Sequence, residues 1–327
     1  MSEKDIISNN YFKDNERFAD LLNGFIFSGQ QVIFPEDLQE ADISAARIQK
    51  MPHEKIKKSQ AVIRDVVKYL QFPVRVMLIV LQNQTSIHYA MPVRIMNEEA
   101  AEYHAQWRKI AAKHKREKDL YKDEFLSGFS KNDRLNAVIS IVLYFGKEPW
   151  DGPMNLKEMM DLNEIPSELH EYVTDYPIHI LEVHKFDDIQ NFRTDLQVVF
   201  GFLQNAENKN HLRTYVNEHH QEFENLSQEA YDMISVMSGT SQLRTLKAKY
   251  QNTSGGGISV CKAIDDMIED GKKEGKREGK KEGLNLGIAL TKKVFRLNSQ
   301  GVSTASISQQ CDISVEKVLE ILDDSDE

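Results

Sequence analysis

The stretch VRVMLIVLQNQTSIHYAMPVRIM, residues 74–96, decides the fold. A nearly unbroken apolar run from Val74 to Leu81 follows Pro73 and stops at Gln82, Asn83 and Gln84. Such a run, rich in β-branched and aliphatic residues, predicts a strand buried on both faces. Side chains alternate along a strand, so Leu78, Val80, Gln82 and Gln84 share one face. An unpaired buried amide costs about 1–3 kcal/mol, so something polar must stand opposite Gln82 and Gln84.

The partner strand is residues 61–70, AVIRDVVKYL, with Ile63, Asp65, Val67 and Tyr69 on one face. The connection through Gln71, Phe72 and Pro73 is short, and the simplest topology is an antiparallel pair. One acid on the first strand and two polar residues at i and i+2 on the second is the layout of a two-strand metal-nuclease site.

Several stretches, in this order along the chain, carry a family resemblance. They are Tyr11-Phe12-Lys13 and Arg17-Phe18-Ala19-Asp20, then Arg64-Asp65-Val66-Val67, the QNQ at 82–84, and His88-Tyr89-Ala90-Met91-Pro92-Val93-Arg94. Tyr144-Phe145-Gly146, Pro149-Trp150 and a Lys/Glu/Gly-repeat tail complete the set. Together they resemble the Rpn family of recombination-promoting nucleases and transposases, in the PD-(D/E)XK nuclease superfamily. The resemblance implies an α/β fold with a restriction-endonuclease-like α-β-β-β-α-β core. It also implies a metal-dependent DNA endonuclease that hydrolyses phosphodiester bonds with Mg²⁺ or Mn²⁺. By the same resemblance Asp65 binds metal, and Gln84 positions the attacking water or the scissile phosphate.

At position 82 this chain departs from the family, which has Glu there. Mg²⁺ prefers hard oxygen ligands, usually one or two carboxylates with waters and substrate phosphate. A neutral amide oxygen at Gln82 can ligate but removes one formal charge. Asp65, the carbonyl of Asn83 and Glu16, projected from the first helix, would then form the ligand set. The alternative is a catalytically weakened nuclease fold acting as a DNA-binding or oligomeric regulatory partner.

Acidic residues outnumber basic ones 51 to 41, giving a net charge of −10. That argues against nonspecific coating of nucleic acid, which rests on Lys and Arg neutralising phosphates. Cys261 and Cys311 stand fifty residues apart without metal-ligand spacing, which predicts reduced thiols in a cytoplasmic protein. The start, MSEKDIISNN, does not read as a signal sequence, and no apolar run reaches ~18 residues, so no membrane insertion is expected.

Along the chain, 14–28 predicts the first helix, with Asp14 or Asn15 as its cap, and Glu16 in the opening turn. Pro35 to Leu38 reads as a turn and Ile43 to Ile48 as a short edge strand, with Asp42 beside it. Pro92 to about Ala112 predicts a helix with a stripe at Val93, Met96, Ala100, Tyr103 and Trp107. The basic segment from Arg108 to Lys122 reads either as a DNA-contacting arm or as a solvated face. His88 reads as a structural turn residue or a phosphate contact. Residues 136–146 and 178–183 predict strands and 154–172 a helix. Trp150 reads as a loop anchor or a base-stacking ring.

The expected domains are a nuclease-like domain over 1–186, a helical extension over 187–254, a linker and repeat helix over 255–287, and a small helical tail over 288–327. His219, His220, Glu222 and Glu224 read as a surface cluster. Glycines at 271, 275, 279, 283 and 287 form a bare stripe that favours homo-oligomer formation through close helix approach, or a flexible tether. The tail reads as helix-turn-helix-like, with Ser303 and Ser314 as caps. Its acidic last helix favours an interaction module over base readout.

Overall fold

The computed structural model describes residues 2–41, 66–71, 76–250 and 258–323. The expected edge strand at 43–48, Asp42, the linker at 254–257 and Asp65 itself lie outside the described residues. The chain divides into two compact units, Met1–Lys262 and Ala263–Glu327.

The first unit is built on a five-stranded sheet in the order β1-β2-β3-β4-β5. Its strands are β1 (Leu38–Glu40), β2 (Val66–Gln71), β3 (Val76–Gln84), β4 (Val138–Tyr144) and β5 (His179–Glu182). The predicted hairpin is present: β2 and β3 are antiparallel, with Val67 opposite Val80 and Tyr69 opposite Leu78. β3 then pairs with β4 in parallel, Gln82 beside Val142 and Gln84 beside Tyr144, and β4 pairs with β5 in parallel. β3 is therefore the central strand, which is why its sequence reads as continuous apolar residues.

Helices cover both faces. On one, Val67, Leu78, Val80 and Val138 pack with Tyr103, and Val142 packs with Met91 and Ile95; these three partners come from α3 (Met91–Glu117). On the other lie α1 (Glu3–Phe12) and α2 (Asn15–Ile26). Lys68, one residue out of phase with Val67, donates from Nζ to the Lys13 carbonyl and the Asn15 amide oxygen, and lies 4.9 Å from the centre of the Phe18 ring. Burial pushes the Lys68 ammonium down to about 8. The result is a mixed α/β fold with a central sheet between helices, consistent with a PD-(D/E)XK-like core.

Three expectations are corrected. The first helix is α1, not the one at 14–28. It buries Ser8 and Asn9 alongside Tyr11 and Phe12, so it shows no clear apolar stripe. Its signal was the capping box, in which the Ser2 hydroxyl and the Asp5 carboxylate exchange hydrogen bonds with each other's backbone. Residues 154–172 form only a short 3₁₀ turn and α5 (Ser167–His170), interrupted by Pro166. On α3 the buried positions are Met91, Pro92, Ile95 and Glu98; Ala100 and Trp107 are exposed.

A large helical region completes the first unit: α6 (Leu196–Asn205), α7 (Lys209–Glu218), α8 (His220–Glu224), α9 (Gln228–Met237) and α10 (Ser241–Tyr250). It is fastened to α1 and α2 by one polar network. Arg17 donates to both oxygens of Asp195 at 2.8 Å and to the Ser227 hydroxyl at 2.7 Å, while the buried Tyr11 hydroxyl donates to Asp195 at 2.7 Å. Burial, reinforced by Asp195, holds the Tyr11 phenol protonated far above its ordinary range. Asp20 accepts from the Arg193 and Thr194 backbone N–H groups and from the Thr194 hydroxyl. Next to it a Cβ on Gly24 would stand 2.3 Å from the Phe192 ring, so only glycine lets the ring lie against α2.

In the second unit α11 (Val260–Ser299, with its first three residues in the first unit) carries the glycine repeat, and nothing lies within 4 Å of where a Cβ would sit on those glycines. α12 (Thr304–Cys311) and α13 (Val315–Asp323) close a small core of Val294, Leu297, Ile307 and Val318. Ser303 and Ser314 accept from Ser306 N–H and Lys317 N–H, as expected of caps. Among the described residues no helix is long and apolar enough to cross a membrane.

The Arg17–Asp195 network predicts a large stability loss from one substitution. Removing one partner of a buried ion pair leaves the other uncompensated, at a cost of about 3 kcal/mol. Asp195→Ala is expected to lower the melting temperature of the first unit by about 6–12 °C. A shift below about 2 °C in a thermal melt would show that the network does not fasten the helical region.

Candidate active site

Gln82 lies near the end of β3 on the face that α3 covers and is 0% exposed. Its Nε2 donates to Oε2 of Glu98, an α3 carboxylate only 5% exposed. The other Glu98 oxygen accepts from Arg94 Nε at 3.2 Å, one helical turn earlier. The polar partner that a buried Gln82 required is thus an acid on the covering helix. Among the described residues Oε1 of Gln82 has no hydrogen-bond partner, and neither does Oγ of buried Ser140, which sits on the same face of β4 next to Val80.

The other expected site residues are distributed as follows. Asn83 points to the opposite face, where its Nδ2 donates to Asn9 Oδ1 of α1 at 3.1 Å. Gln84 is half-buried at the strand's end. Asp65 is outside the described residues; the pairing of Val66 with Leu81 is the last rung before Asp65 and Gln82 in sequence. Glu16 is exposed in the first turn of α2, on the Asn83 side of the sheet. It lines a separate cavity of about 580 Å³ with Asp14, Arg17, Arg193, Asp195 and Glu222. The structure therefore brings Gln82 to Glu98 and Arg94, and does not bring Glu16 or the Asn83 side chain to them.

Glu98 was missed in the sequence because acids on helices are usually solvated. The available signal was its position, seven residues after Met91 and three after Ile95, on the buried stripe. His88 is exposed, and its carbonyl accepts from Met91 N–H at the start of α3. Trp150 is an anchor: its ring meets Tyr144 edge-on at 5.2 Å, its backbone N–H donates to Glu182, and its Nε1 donates to the Gly152 carbonyl.

Residues 122–233 match the family described as "Putative transposase, YhgA-like". The match spans about a third of the chain, from α4 (Lys122–Ser127) into α9, and so includes β4, β5 and the helices that Asp195 fastens. It supports the Rpn/YhgA-like resemblance, and of the stretches that carried it Tyr144-Phe145-Gly146 and Pro149-Trp150 lie inside the match. No curated protein and no solved structure matches.

The orphaned Gln82 oxygen is a buried hydrogen-bond acceptor in want of a partner, of the hard-oxygen kind that Mg²⁺ or Mn²⁺ takes. A second group that could hold a divalent ion is His114, Glu117 and Asp119, whose ligand atoms lie within 4.8 Å of one another. Here the His114 Nδ1 meets both Asp119 oxygens at 2.8 and 2.9 Å, and its Nε2 meets Asp133 at 2.8 Å. Carboxylates on both ring nitrogens call for an imidazolium donating on both sides. Hydrogen bonds to Asp119 first and Asp133 second raise the His114 pKa above its ordinary 6.5.

A histidine whose folded-state pKa is raised contributes stability that is fully present below its unfolded value, about 6.5, and lost as pH rises through the folded value. Thermal melts between about pH 5.5 and 8.5 are expected to show a decline that His114→Gln flattens. Equal slopes in the two proteins would contradict the imidazolium bridge.

Proposed function

We propose that this chain is a metal-dependent DNA endonuclease of the recombination-promoting, transposase-like type, with its centre on the α3 face of the sheet at the end of β3. The observation that carries the reading is the buried Gln82 amide set against a carboxylate, with its oxygen unpartnered, one residue past the rung that pairs Val66 with Leu81. The family match on the adjoining strands supports a nuclease or transposase-like fold.

In this reading Asp65 and the Gln82 oxygen hold the divalent ion, and Gln84, half-exposed at the strand's end, orients the attacking water or the scissile phosphate. A bound Mg²⁺ or Mn²⁺ stabilises charge on the phosphoryl oxygens and lowers the pKa of bound water. The attacking water gives a proton to solvent as its oxygen bonds to phosphorus, the ester P–O bond breaks, and the departing oxygen takes a proton from solvent. The exposed Arg108, Lys109, Lys113, Lys115, Arg116 and Lys118 near the end of α3 are basic groups that an otherwise acidic chain can offer to a phosphate backbone. The bare glycine face of α11 is the part of the chain we assign to self-association; a monomeric mass by light scattering removes that role.

One observation favours a second reading. The Gln82 Nε2 satisfies Glu98 by a hydrogen bond, as a neutral amide can without any ion, which suits a weakened nuclease fold acting as a DNA-binding or regulatory partner.

Plasmid cleavage in Mg²⁺ or Mn²⁺ separates the two. Cleavage by the wild type that falls at least ~100-fold in Asp65→Ala supports the endonuclease. Cleavage only after Gln82→Glu supports the weakened copy. If the wild type, Asp65→Ala and Gln82→Glu are all inert and none binds DNA, both readings fail.

A further inference from the structure

Three large apolar side chains within six residues, Tyr121, Phe125 and Leu126, are 75%, 69% and 84% exposed. Phe125 and Leu126 border, with Ala111 and Leu120, a mostly apolar groove of about 630 Å³ between the end of α3 and α4. Lys115 and Lys118 stand along the same groove. We propose that this groove docks an acidic amphipathic helix of another protein. It lies about 20 Å further along α3 than Glu98 and does not depend on the endonuclease reading.

Fixed contacts set the shape of the groove. Gly128 approaches α3 so closely that a Cβ on it would stand 2.9 Å from the Ala111 Cβ. The Trp107 indole donates to the Ser127 carbonyl at 3.1 Å, and the His114 ring is held between Asp119 and Asp133. α4 and the chain that follows it are thereby fastened to α3, and a partner meets a groove that is already formed. Exposed apolar side chains grouped on such a surface mark a place that another molecule covers.

Charge selects the occupant. Of the four carboxylates between residues 117 and 124, three are engaged: Glu117 with Lys113, Asp119 with His114, and Glu124 with the Ser130 hydroxyl and the Lys131 N–H. Lys115 and Lys118 have no ion pair among the described residues, so the groove carries uncompensated positive charge on a chain of net charge −10. An acidic partner is drawn to it and a basic one is turned away. The walls come from helices and offer no strand edge. An extended segment would leave its backbone groups unpaired there, whereas a helix satisfies its own and presents only side chains. A second copy docking the same face about a two-fold axis would set these lysines against their own counterparts. Nucleic acid fits less well. Lys109, Lys113 and Arg116, at i, i+4 and i+7, lie on the opposite side of α3 from Ala111 and Lys118, which leaves two lysines over an apolar floor.

The test is fluorescence anisotropy of a labelled model helix, with Leu at i, i+3, i+4 and i+7 and Glu on its other faces, titrated with the full chain. A matched peptide carrying Lys for Glu is expected to bind at least ~10-fold more weakly. Phe125→Ser with Leu126→Ser is expected to weaken binding of the acidic peptide at least ~10-fold. Lys115→Glu with Lys118→Glu is expected to reverse the order of the two peptides. All four side chains are exposed, and circular dichroism confirms that each variant is folded. Failure of the acidic peptide to bind, equal binding of the two peptides, or binding untouched by the Phe125 and Leu126 changes overturns the proposal. So does a single-stranded oligonucleotide whose binding is lost in the same variant, which makes the groove a nucleic-acid site. A wild-type dimer, seen by light scattering, that this variant dissolves makes it a self-association face and overturns the proposal too. None of these readouts involves metal or cleavage, so the endonuclease reading stands or falls separately.

Discussion

A strand covered by helices on both faces must finish in residues that its coverings can satisfy. β3 is such a strand, and its last three residues are amides. Two find partners in different layers, Gln82 in Glu98 of α3 and Asn83 in Asn9 of α1, while Gln84 lies half-buried at the end of the sheet. α1 is therefore more than an N-terminal appendage, since the amide that β3 turns toward it lies buried. α3 in turn carries an acid on its buried stripe because the strand beneath it carries an amide. The positions of both covering helices are tied to the polar end of one apolar run.

The same run explains how much was legible beforehand. The hairpin, its antiparallel sense and the face shared by Leu78, Val80 and Gln82 follow from period-two alternation and a short connection, which are local properties. β4 and β5 are legible for the same reason, as apolar segments bounded by Gly146, Pro149 and Pro177. α1 was not, because it buries Ser8 and Asn9 and its one sequence signal, Ser2 with Asp5, lies at its very start. Residues 154–172 read as a helix from composition, but the loop is held by side chains reaching across it, such as Asp175 accepting from the Lys157 N–H. Lys68 is a further case: a lysine on a strand suggests solvent, whereas here Lys13, Asn15 and Phe18 are folded over it.

The candidate site was legible in part. That a polar group had to oppose Gln82 follows from burial alone, but its identity depends on which turn of α3 crosses the strand, and no local pattern gives that. Glu16 was set beside Gln82 because sequence proximity does not separate the two faces of a sheet; the ligand expected from Asn83 is its carbonyl, on which the direction of its side chain does not bear. Alternation already put Asn83 opposite Gln82, and the structure puts α2, with Glu16, on the Asn83 side. The early resemblance at Arg17-Phe18-Ala19-Asp20 marks packing: Arg17 and Asp20 fasten the helices that follow β5.

Locating the bound ion directly is the strongest test of a centre built between β3 and α3. Anomalous scattering from crystals of the full chain grown with Mn²⁺ would do so. The account predicts a single strong peak within ligand distance, about 2.0–2.6 Å, of the Gln82 amide oxygen and the Asp65 carboxylate. A peak at His114 with Asp119 instead, or full occupancy on the Asn83 side of the sheet, would contradict it.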